Sequence, residues 1–202
     1  GLQNNHVLAV AKHFPGHGDT NSDSHFELPL INQKYARLDS LELYPFKHLI
    51  ASNLGGIMIA HLNVPSLDTI QNTPSTLSKN IVTSLLRDSL GFDGLAFTDA
   101  LNMRGVSNAY PEGEVEVRAL EAGNDVLMMS NNIPLAISKI KEAIESGRIS
   151  EQQINESCKK MLILKEWAGL SQKAIIDLHN LVPDLNTNHS KLLTRRIVEN
   201  SI

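Results

Sequence analysis

The sequence predicts an α/β fold in which parallel strands alternate with helices. Four short, mostly apolar strands are predicted at residues 7–11, 56–60, 95–98 and 125–129, and each is followed by a segment with apolar residues at helical spacing. Charged or polar residues end every run, which is typical of the catalytic face of a (β/α)8 barrel; a doubly wound sheet gathers its ligand groups at one crevice. We therefore predict half of a barrel, built from four strand-helix units.

The first two units follow in order along the chain. The run 7–11 is wholly apolar, as expected for a strand buried on both faces, and residues 40–52 carry a helical pattern that ends near Gly55–Gly56. The second strand is followed by a helix from the N-cap Ser78 to the stop signal Gly91.

The third and fourth units carry clearer helix signals. Helices are predicted at residues 115–122, 134–146 and 150–167. A glycine follows each of the first two helices, and Pro134 occupies a first-turn position in the second. Ser150 begins a capping box for the third.

The chain changes character after Gly169. A turn is predicted at residues 183–184, and an Asn/Ser-rich linker near 186–190 precedes the start of a new amphipathic helix. This segment therefore reads as a linker that leads away from the strand-helix units.

Composition excludes several classes of function. The net charge of -4 offers no basic surface for nucleic acid, and no apolar run approaches the roughly 20 residues that a membrane-spanning helix needs. A single cysteine, Cys158, allows neither an intrachain disulfide nor a cysteine-based zinc site. Because the chain begins with Gly1 rather than methionine, we expect a piece of a longer protein, whose compartment, cytoplasmic or exported, stays open.

The segment 12–25, KHFPGHGDTNSDSH, concentrates titratable groups directly after the first strand. Pro15, Gly16 and Gly18 make it a shaped loop, so that its polar groups can converge on one point. The motif resembles the signature of family 3 glycoside hydrolases, and its Asp-Ser-His ending resembles their β-N-acetylglucosaminidase branch.

This resemblance covers about residues 5–168 and implies that the four strands are strands five to eight of a barrel, which requires an upstream half. The ending LTRRIVENSI is similar to the entry into the second domain of longer family members. We therefore predict that residues 1–169 are the C-terminal half of the catalytic barrel, and that residues 170–202 are a linker and the start of a further domain.

Asp99 is the candidate nucleophile. It follows a buried strand, so its carboxylate can be held at the barrel axis, although an isolated aspartate at such a position is more often a helix cap or turn residue. The surrounding TDALNM resembles the family's nucleophile motif, which implies a covalent glycosyl-enzyme intermediate on Asp99. The resemblance further implies that His25 is the acid/base and that Asp23 orients and charges its imidazole.

Four residues are candidate substrate contacts. The resemblance makes Lys12 and His13 a sugar-binding pair, whereas a strand-end salt bridge is the simpler interpretation of either residue alone. His61 ends the second strand and is expected to line the pocket. Met103 follows the nucleophile, and its assignment rests on that adjacency.

A metal site is the main alternative use of the loop. His13, His17 and His25 could bind zinc if they converged, with Asp23 behind them. No helix-borne pair of metal ligands such as HExxH is present, and glycosidic cleavage needs no metal. We therefore predict no metal and no cofactor, and expect His17 to brace the loop.

The resemblance implies a retaining, exo-acting β-N-acetylglucosaminidase whose partner is a carbohydrate that contains N-acetylglucosamine, derived from bacterial cell wall or chitin. A neutral base repels an anionic acceptor less than a carboxylate does, so a β-N-acetylglucosaminide phosphorylase stays open. A β-glucosidase of the same family and a catalytically inactive carbohydrate-binding barrel stay open as well.

Overall fold

The computed structural model describes residues 1–20, 22–24, 26–108, 110–172 and 178–201. The chain divides into two compact units, Gly1–Ala168 and Gly169–Ile202. No helix in the described part of the chain is long and apolar enough to cross a membrane.

The first unit is built on one sheet of four parallel strands, in the order β1-β2-β3-β4. Each strand lies beside its successor in the chain and is separated from it by helices, which confirms the predicted α/β class with a parallel sheet. The strands are β1 (Val10–Phe14), β2 (Gly56–Ile59), β3 (Leu95–Ala100) and β4 (Val126–Met128). The helices are α1 (Tyr35–Ser40), α2 (Tyr44–Ala51), α3 (Arg104–Ser107), α4 (Glu114–Ala122), α5 (Ile133–Glu145) and α6 (Glu151–Trp167), together with a π-type helix at Asn80–Ser89.

The first strand lies three residues later than the sequence predicts. Val10 pairs with Gly56, so the ladder starts where β2 offers its first partner rather than at residue 7. As a result Lys12 and His13 lie within β1, not after it. Asp99 likewise lies inside β3, as its penultimate residue.

The helix predicted at residues 40–52 is instead two helices, α1 and α2. The chain turns between them, and the Leu43 amide donates to the Leu38 carbonyl at 2.8 Å. Pro45 lies in the first turn of α2 and has no N–H, so α1 cannot continue through it.

The predicted N-cap Ser150 is confirmed, whereas Ser78 lies one residue before Lys79, the N-cap of the π-type helix. Ser78 Oγ accepts from the Ile81 amide at 3.2 Å, and Ser150 Oγ accepts from the Gln153 amide at 3.1 Å. The capping box at Ser150 is only half formed, because the side-chain amide of Gln153 donates to the Leu120 carbonyl instead of turning back.

The main core lies between the helices and one face of the sheet. It contains the side chains of Phe14, Ile57 and Ile59 from the strands, packed against helix residues such as Phe46 and Leu86. The opposite face of the sheet is only partly covered. Its side chains at Met58, Phe97, Val126 and Met128 are half-buried.

A buried ion pair holds the end of the sheet at which β3 begins. Asp125 accepts from Arg87 at 2.5 Å, from the Ala96 amide at 2.9 Å and from Ser157 at 2.7 Å. The Asp125 side chain is 5% exposed. The pair therefore joins the π-type helix, β3 and α6 at the end of the strand farther from Asp99.

The second unit contains α7 (Leu181–Leu185) and α8 (Asn188–Glu199). The turn predicted at residues 183–184 is wrong, because Pro183 lies in the first turn of α7, where its missing N–H costs no helical hydrogen bond. The predicted amphipathic helix is present. It begins inside the predicted linker, where Thr187 Oγ1 accepts from the Ser190 amide at 3.1 Å.

Candidate active site

Asp99 lies near the C-terminal end of β3 with a carboxylate that is only 17% exposed. Its Oδ1 accepts from the Ala100 amide at 2.8 Å, and its Oδ2 lies 3.7 Å from Nε2 of His13. The N-cap position of the following helix belongs to Met103, so Asp99 is not a cap residue. One oxygen is thus held by the backbone and the other points toward a second functional group.

His13 reaches Asp99 across β2, since β1 and β3 are the two neighbours of that strand. Burial lowers the pKa of the His13 imidazole below its usual value, and Asp99 acts against this. The neighbouring Lys12 and His17 lower the pKa of His13 further. The ring is therefore mainly neutral at pH 7, where it can donate one hydrogen bond and accept another.

Lys12 is exposed and forms no hydrogen bond or ion pair with any residue in the described part of the chain. Its ammonium group stands beside His13 and contributes to the lowered pKa of that ring. A strand-end salt bridge of Lys12 is therefore not formed within the described residues, and the ammonium group can reach a ligand.

The loop after β1 is braced from within by His17. Its Nε2 lies 3.2 Å from Ser24 Oγ, and its Nδ1 lies 3.4 Å from Thr20 Oγ1. Ser24 is buried, and Asp19 accepts from the Gln33 side chain at 2.8 Å. Both ring nitrogens of His17 are thus occupied by hydroxyl groups of the same loop, which agrees with the expected bracing role.

The loop also packs on the segment that follows the nucleophile. A Cβ atom on Gly105 of α3 would lie 2.7 Å from the Glu27 carbonyl oxygen and 2.9 Å from the Ser24 carbonyl oxygen. Asp23 is exposed, and its carbonyl accepts from the Phe26 amide at 3.0 Å. Ser24 and Glu27 therefore lie directly against α3, the helix that follows β3.

His25, the predicted acid/base, lies outside the described residues. Its sequence neighbour Ser24 is described, and the Ser24 carbonyl oxygen lies close to Gly105. Its role stays a prediction from the motif.

His61 and Met103 are placed differently from the expectation of open pocket-lining contacts. His61 is 0% exposed, and its ring nitrogens are taken by Thr76 Oγ1 at 2.7 Å and the Ala100 carbonyl at 3.0 Å. Burial lowers its pKa, and the hydrogen bond to Ala100 and the charge of Asp99 oppose this. Met103 is 8% exposed, and its amide donates to the same carbonyl at 3.0 Å. Neither ring nitrogen of His61 is free for a sugar in this arrangement.

A cavity of about 590 Å³ lies at the free edge of β1. Lys12, His13 and His17 line one side of it, and residues of α1 and α2 line the other, but Asp99 does not. The His13 ring thus borders this cavity, while its Nε2 lies 3.7 Å from Asp99 Oδ2. In the part of the chain that the structure describes, no three histidine, cysteine or acidic side chains lie close enough together to hold a metal ion.

Two residues behind the nucleophile escape prediction from the sequence. Thr76 and Asn124 are both buried and hydrogen-bonded in this region, yet each reads as an ordinary polar residue near a helix or turn. Gly105 gives a local signal, since a glycine inside a short helix indicates close backbone approach.

The profile of the glycosyl hydrolase family 3 N-terminal domain matches residues 1–164. The chain belongs to this family. Family 3 relatives include Beta-hexosaminidase A of Pseudoalteromonas piscicida, 34% identical over 79% of this chain and 30% of the relative. Beta-hexosaminidase of Nitrosospira multiformis is 40% identical over 65% of this chain and 37% of its own length.

A solved family 3 structure has the same fold. The glycoside hydrolase family 3 β-N-acetylglucosaminidase from Paenibacillus sp. str. FPU-7 is 40% identical, with a TM-score of 0.88 over 96% of this chain and 37% of that protein. The chain thus spans 30–37% of the length of these relatives.

Proposed function

We propose that the chain carries the nucleophile and the acid/base of a retaining, exo-acting β-N-acetylglucosaminidase that releases terminal β-linked N-acetylglucosamine. The observation that carries this proposal is the Asp99 carboxylate, held at one oxygen by Ala100 and open at the other toward His13. The similarity to the β-hexosaminidases and to the Paenibacillus enzyme supports the sugar.

In the first step Oδ2 of Asp99 attacks the anomeric carbon and the glycosidic C–O bond breaks. The leaving oxygen takes a proton from the His25 imidazolium, and the sugar remains as an ester on Asp99. In the second step neutral His25 removes a proton from water, whose oxygen attacks the anomeric carbon. The bond to Asp99 breaks, its carboxylate is restored, and the product keeps the β configuration.

The hold on one oxygen of Asp99 favours this role. A single backbone N–H fixes the rotation of the carboxylate without neutralising it, so that Oδ2 keeps its charge for attack. The strand supplies the rigid support that a loop position would lack.

Lys12 and His13 are assigned to sugar hydroxyls. The Lys12 ammonium group has no partner among the described residues, and the largely neutral His13 offers one N–H beside the nucleophile. Bonds from a charged donor to a buried hydroxyl contribute about 1.5–3 kcal/mol. Because His13 contacts Asp99, it is expected to orient the sugar with respect to the attacking oxygen.

The four strands are assigned to positions five to eight of a (β/α)8 barrel, completed by a complementary half of four strands. Two features support this assignment. The sheet face that carries Met58 and Phe97 is only half-buried, and β1 and β4 each have an edge with no partner strand among the described residues; a complementary half would cover both. Residues 170–202 are assigned to a linker and the start of a further domain.

Substrate choice tests the function. The complete polypeptide should release the aryl group from an aryl β-N-acetylglucosaminide at least about 100-fold faster than from the matching β-glucoside, a difference in transition-state binding of about 3 kcal/mol. Adding inorganic phosphate and analysing the sugar product separates hydrolysis from phosphorolysis: free N-acetylglucosamine supports the proposal, and a sugar 1-phosphate contradicts it. Absence of release from either glycoside would leave the carbohydrate-binding barrel.

A further inference from the structure

A line of hydrogen bonds runs from the nucleophile into the interior behind it. The residue after Asp99, Ala100, donates through its amide to Asp99 Oδ1 and accepts at its carbonyl from Nε2 of His61 at 3.0 Å. The other ring nitrogen of His61 lies 2.7 Å from Thr76 Oγ1. The imidazole therefore bridges two segments and touches no solvent.

The chemistry of these partners fixes the tautomer of His61. The Ala100 carbonyl can only accept, so Nε2 carries a proton. Burial lowers the pKa of His61, so the ring is neutral at pH 7 with its proton on Nε2, and Nδ1 lies against the Thr76 hydroxyl, which also donates to the Ala60 carbonyl at 2.7 Å. The orientation of the His61 ring is thus fixed, and its single N–H donates to the carbonyl of Ala100, the residue after the nucleophile.

Thr76 is itself held in place from the other side. It is 0% exposed, and its carbonyl accepts from Nδ2 of Asn124 at 2.8 Å. The same amide group donates to the Ala119 carbonyl at 2.7 Å. The Nδ2 group of Asn124 therefore joins the Thr76 and Ala119 carbonyls, and moving it would break both bonds, while its buried Oδ1 has no hydrogen-bond partner among the described residues.

Ala100 links the buried hydrogen bonds of His61 and Thr76 to the Asp99 carboxylate. It accepts from His61 and also from the Met103 amide at 3.0 Å. The amide of the same residue holds Asp99 Oδ1. A change in the orientation of residue 100 would therefore move the carboxylate.

We propose that His61 is a positioning residue that acts through Ala100 to hold the Asp99 carboxylate in its attacking orientation. This inference rests on the proposed function of Asp99 as nucleophile. It replaces the expected contact between His61 and the sugar, since both ring nitrogens are occupied inside the protein.

Two conservative variants separate the two ends of the ring. In His61→Gln the side-chain amide reaches about as far as Nε2 and can still donate to Ala100. In His61→Asn the amide reaches only to the level of Nδ1, so the contact with Thr76 is kept and the one with Ala100 is lost. His61→Leu removes both bonds, and His48→Gln on the exposed surface of α2 is the matched control.

The complete polypeptide is assayed with an aryl β-N-acetylglucosaminide, and kcat and KM are measured separately. We expect His61→Asn and His61→Leu to lower kcat and kcat/KM together by about 30-fold, with KM within about two-fold, because a small misplacement of a reacting group costs up to about 100-fold. His61→Gln should stay within about five-fold of the wild type, and His48→Gln should not differ from it.

Three results overturn the inference: wild-type kcat in His61→Asn, a loss that is greater in His61→Gln than in His61→Asn, or a rise in KM alone. The second would mean that the bond to Thr76 matters for structure, and the third would mean a sugar contact. Failure of the proposed function looks different, since then Asp99→Asn would retain activity or the wild type would have none.

A folding defect in the His61 variants would not end the test. Thr76→Val removes the hydroxyl that orients the ring, whereas Thr76→Ser keeps it, and both retain His61. We expect Thr76→Val to lower kcat about ten-fold relative to Thr76→Ser with KM unchanged. Equal kcat in these two variants would contradict the inference.

Discussion

Oδ2 of Asp99 and Nε2 of His13 lie 3.7 Å apart, although their strands are separated by β2. The contact joins two residues that each come after an apolar run in the sequence, His13 after residues 7–11 and Asp99 after residues 95–98. Because 3.7 Å is longer than an ordinary hydrogen bond, the two groups do not saturate each other, and each can still bind a substrate atom.

The lowered pKa values of His13 and His61 predict how stability depends on pH. Burial is the main cause for both, so below the ordinary histidine pKa of about 6.5 the unfolded chain binds protons that the folded chain resists. Stability should therefore be fully present above about pH 6.5 and fall as the pH drops toward the lowered folded values.

Thermal unfolding of the complete polypeptide at pH 7.5 and 5.5 checks this expectation, with His61→Gln as the comparison. The variant cannot titrate at this position, so its melting temperature should fall less between the two pH values than that of the wild type. An equal fall in both would mean that His61 does not contribute.

Gly105→Ala should disturb the loop that follows β1. The added methyl group would meet the Glu27 carbonyl oxygen at 2.7 Å, and neither backbone can yield without moving the loop around Asp23. We expect a loss of about 1–3 kcal/mol in stability and a lower kcat/KM. Gly18→Ala in the same loop has nothing within 4 Å and is the control, which should stay close to the wild type in both measurements.

Asp125→Ala should weaken the fold without touching the chemistry. It leaves the guanidinium of Arg87, which is 16% exposed, without its carboxylate, and breaks bonds to Ala96 and Ser157. Removing one partner of a buried pair costs about 3–5 kcal/mol. Denaturant unfolding should show this loss, while exposed Asp93→Ala should show almost none. A wild-type unfolding midpoint for Asp125→Ala would contradict the role of the pair.

His25→Ala should discriminate between leaving groups. An acid contributes about 100-fold or more when the leaving oxygen needs a proton, and far less when the aryl group is already a good leaving group. The value of kcat/KM should therefore fall much more for a methyl or sugar aglycone than for a dinitrophenyl aglycone. An equal fall for both would make His25 structural, and His48→Ala controls for the loss of an exposed imidazole.

Much of this architecture is readable from the sequence, because strands and helices each leave a periodic or capping signal. Ser150 caps α6 where the sequence predicts, Ser78 lies one residue before the N-cap of the π-type helix, and Gly123 ends α4 in the left-handed conformation. The break between α1 and α2 is hidden, because the apolar spacing continues across it and only Pro45 marks the new start.

The sequence predicts which residues form the candidate site, but not their positions relative to one another. The sequence pattern assigns Lys12 and His13 to the end of a strand, whereas they lie within β1, whose start is fixed by the position of its partner β2. The same pattern predicts His61 at an open rim. Its burial depends on Thr76 and Ala100, which come from other parts of the chain and carry no local pattern.

The central claim is that Asp99 forms the covalent intermediate. The most direct test treats the complete polypeptide with a fluorinated N-acetylglucosaminyl fluoride, which forms the glycosyl-enzyme quickly and releases it slowly, and then maps the labelled peptide by mass spectrometry. We predict one sugar per chain on Asp99, no label in Asp99→Asn and normal labelling of Asp93→Asn. A sugar attached to another residue, or undiminished labelling of Asp99→Asn, would contradict the claim.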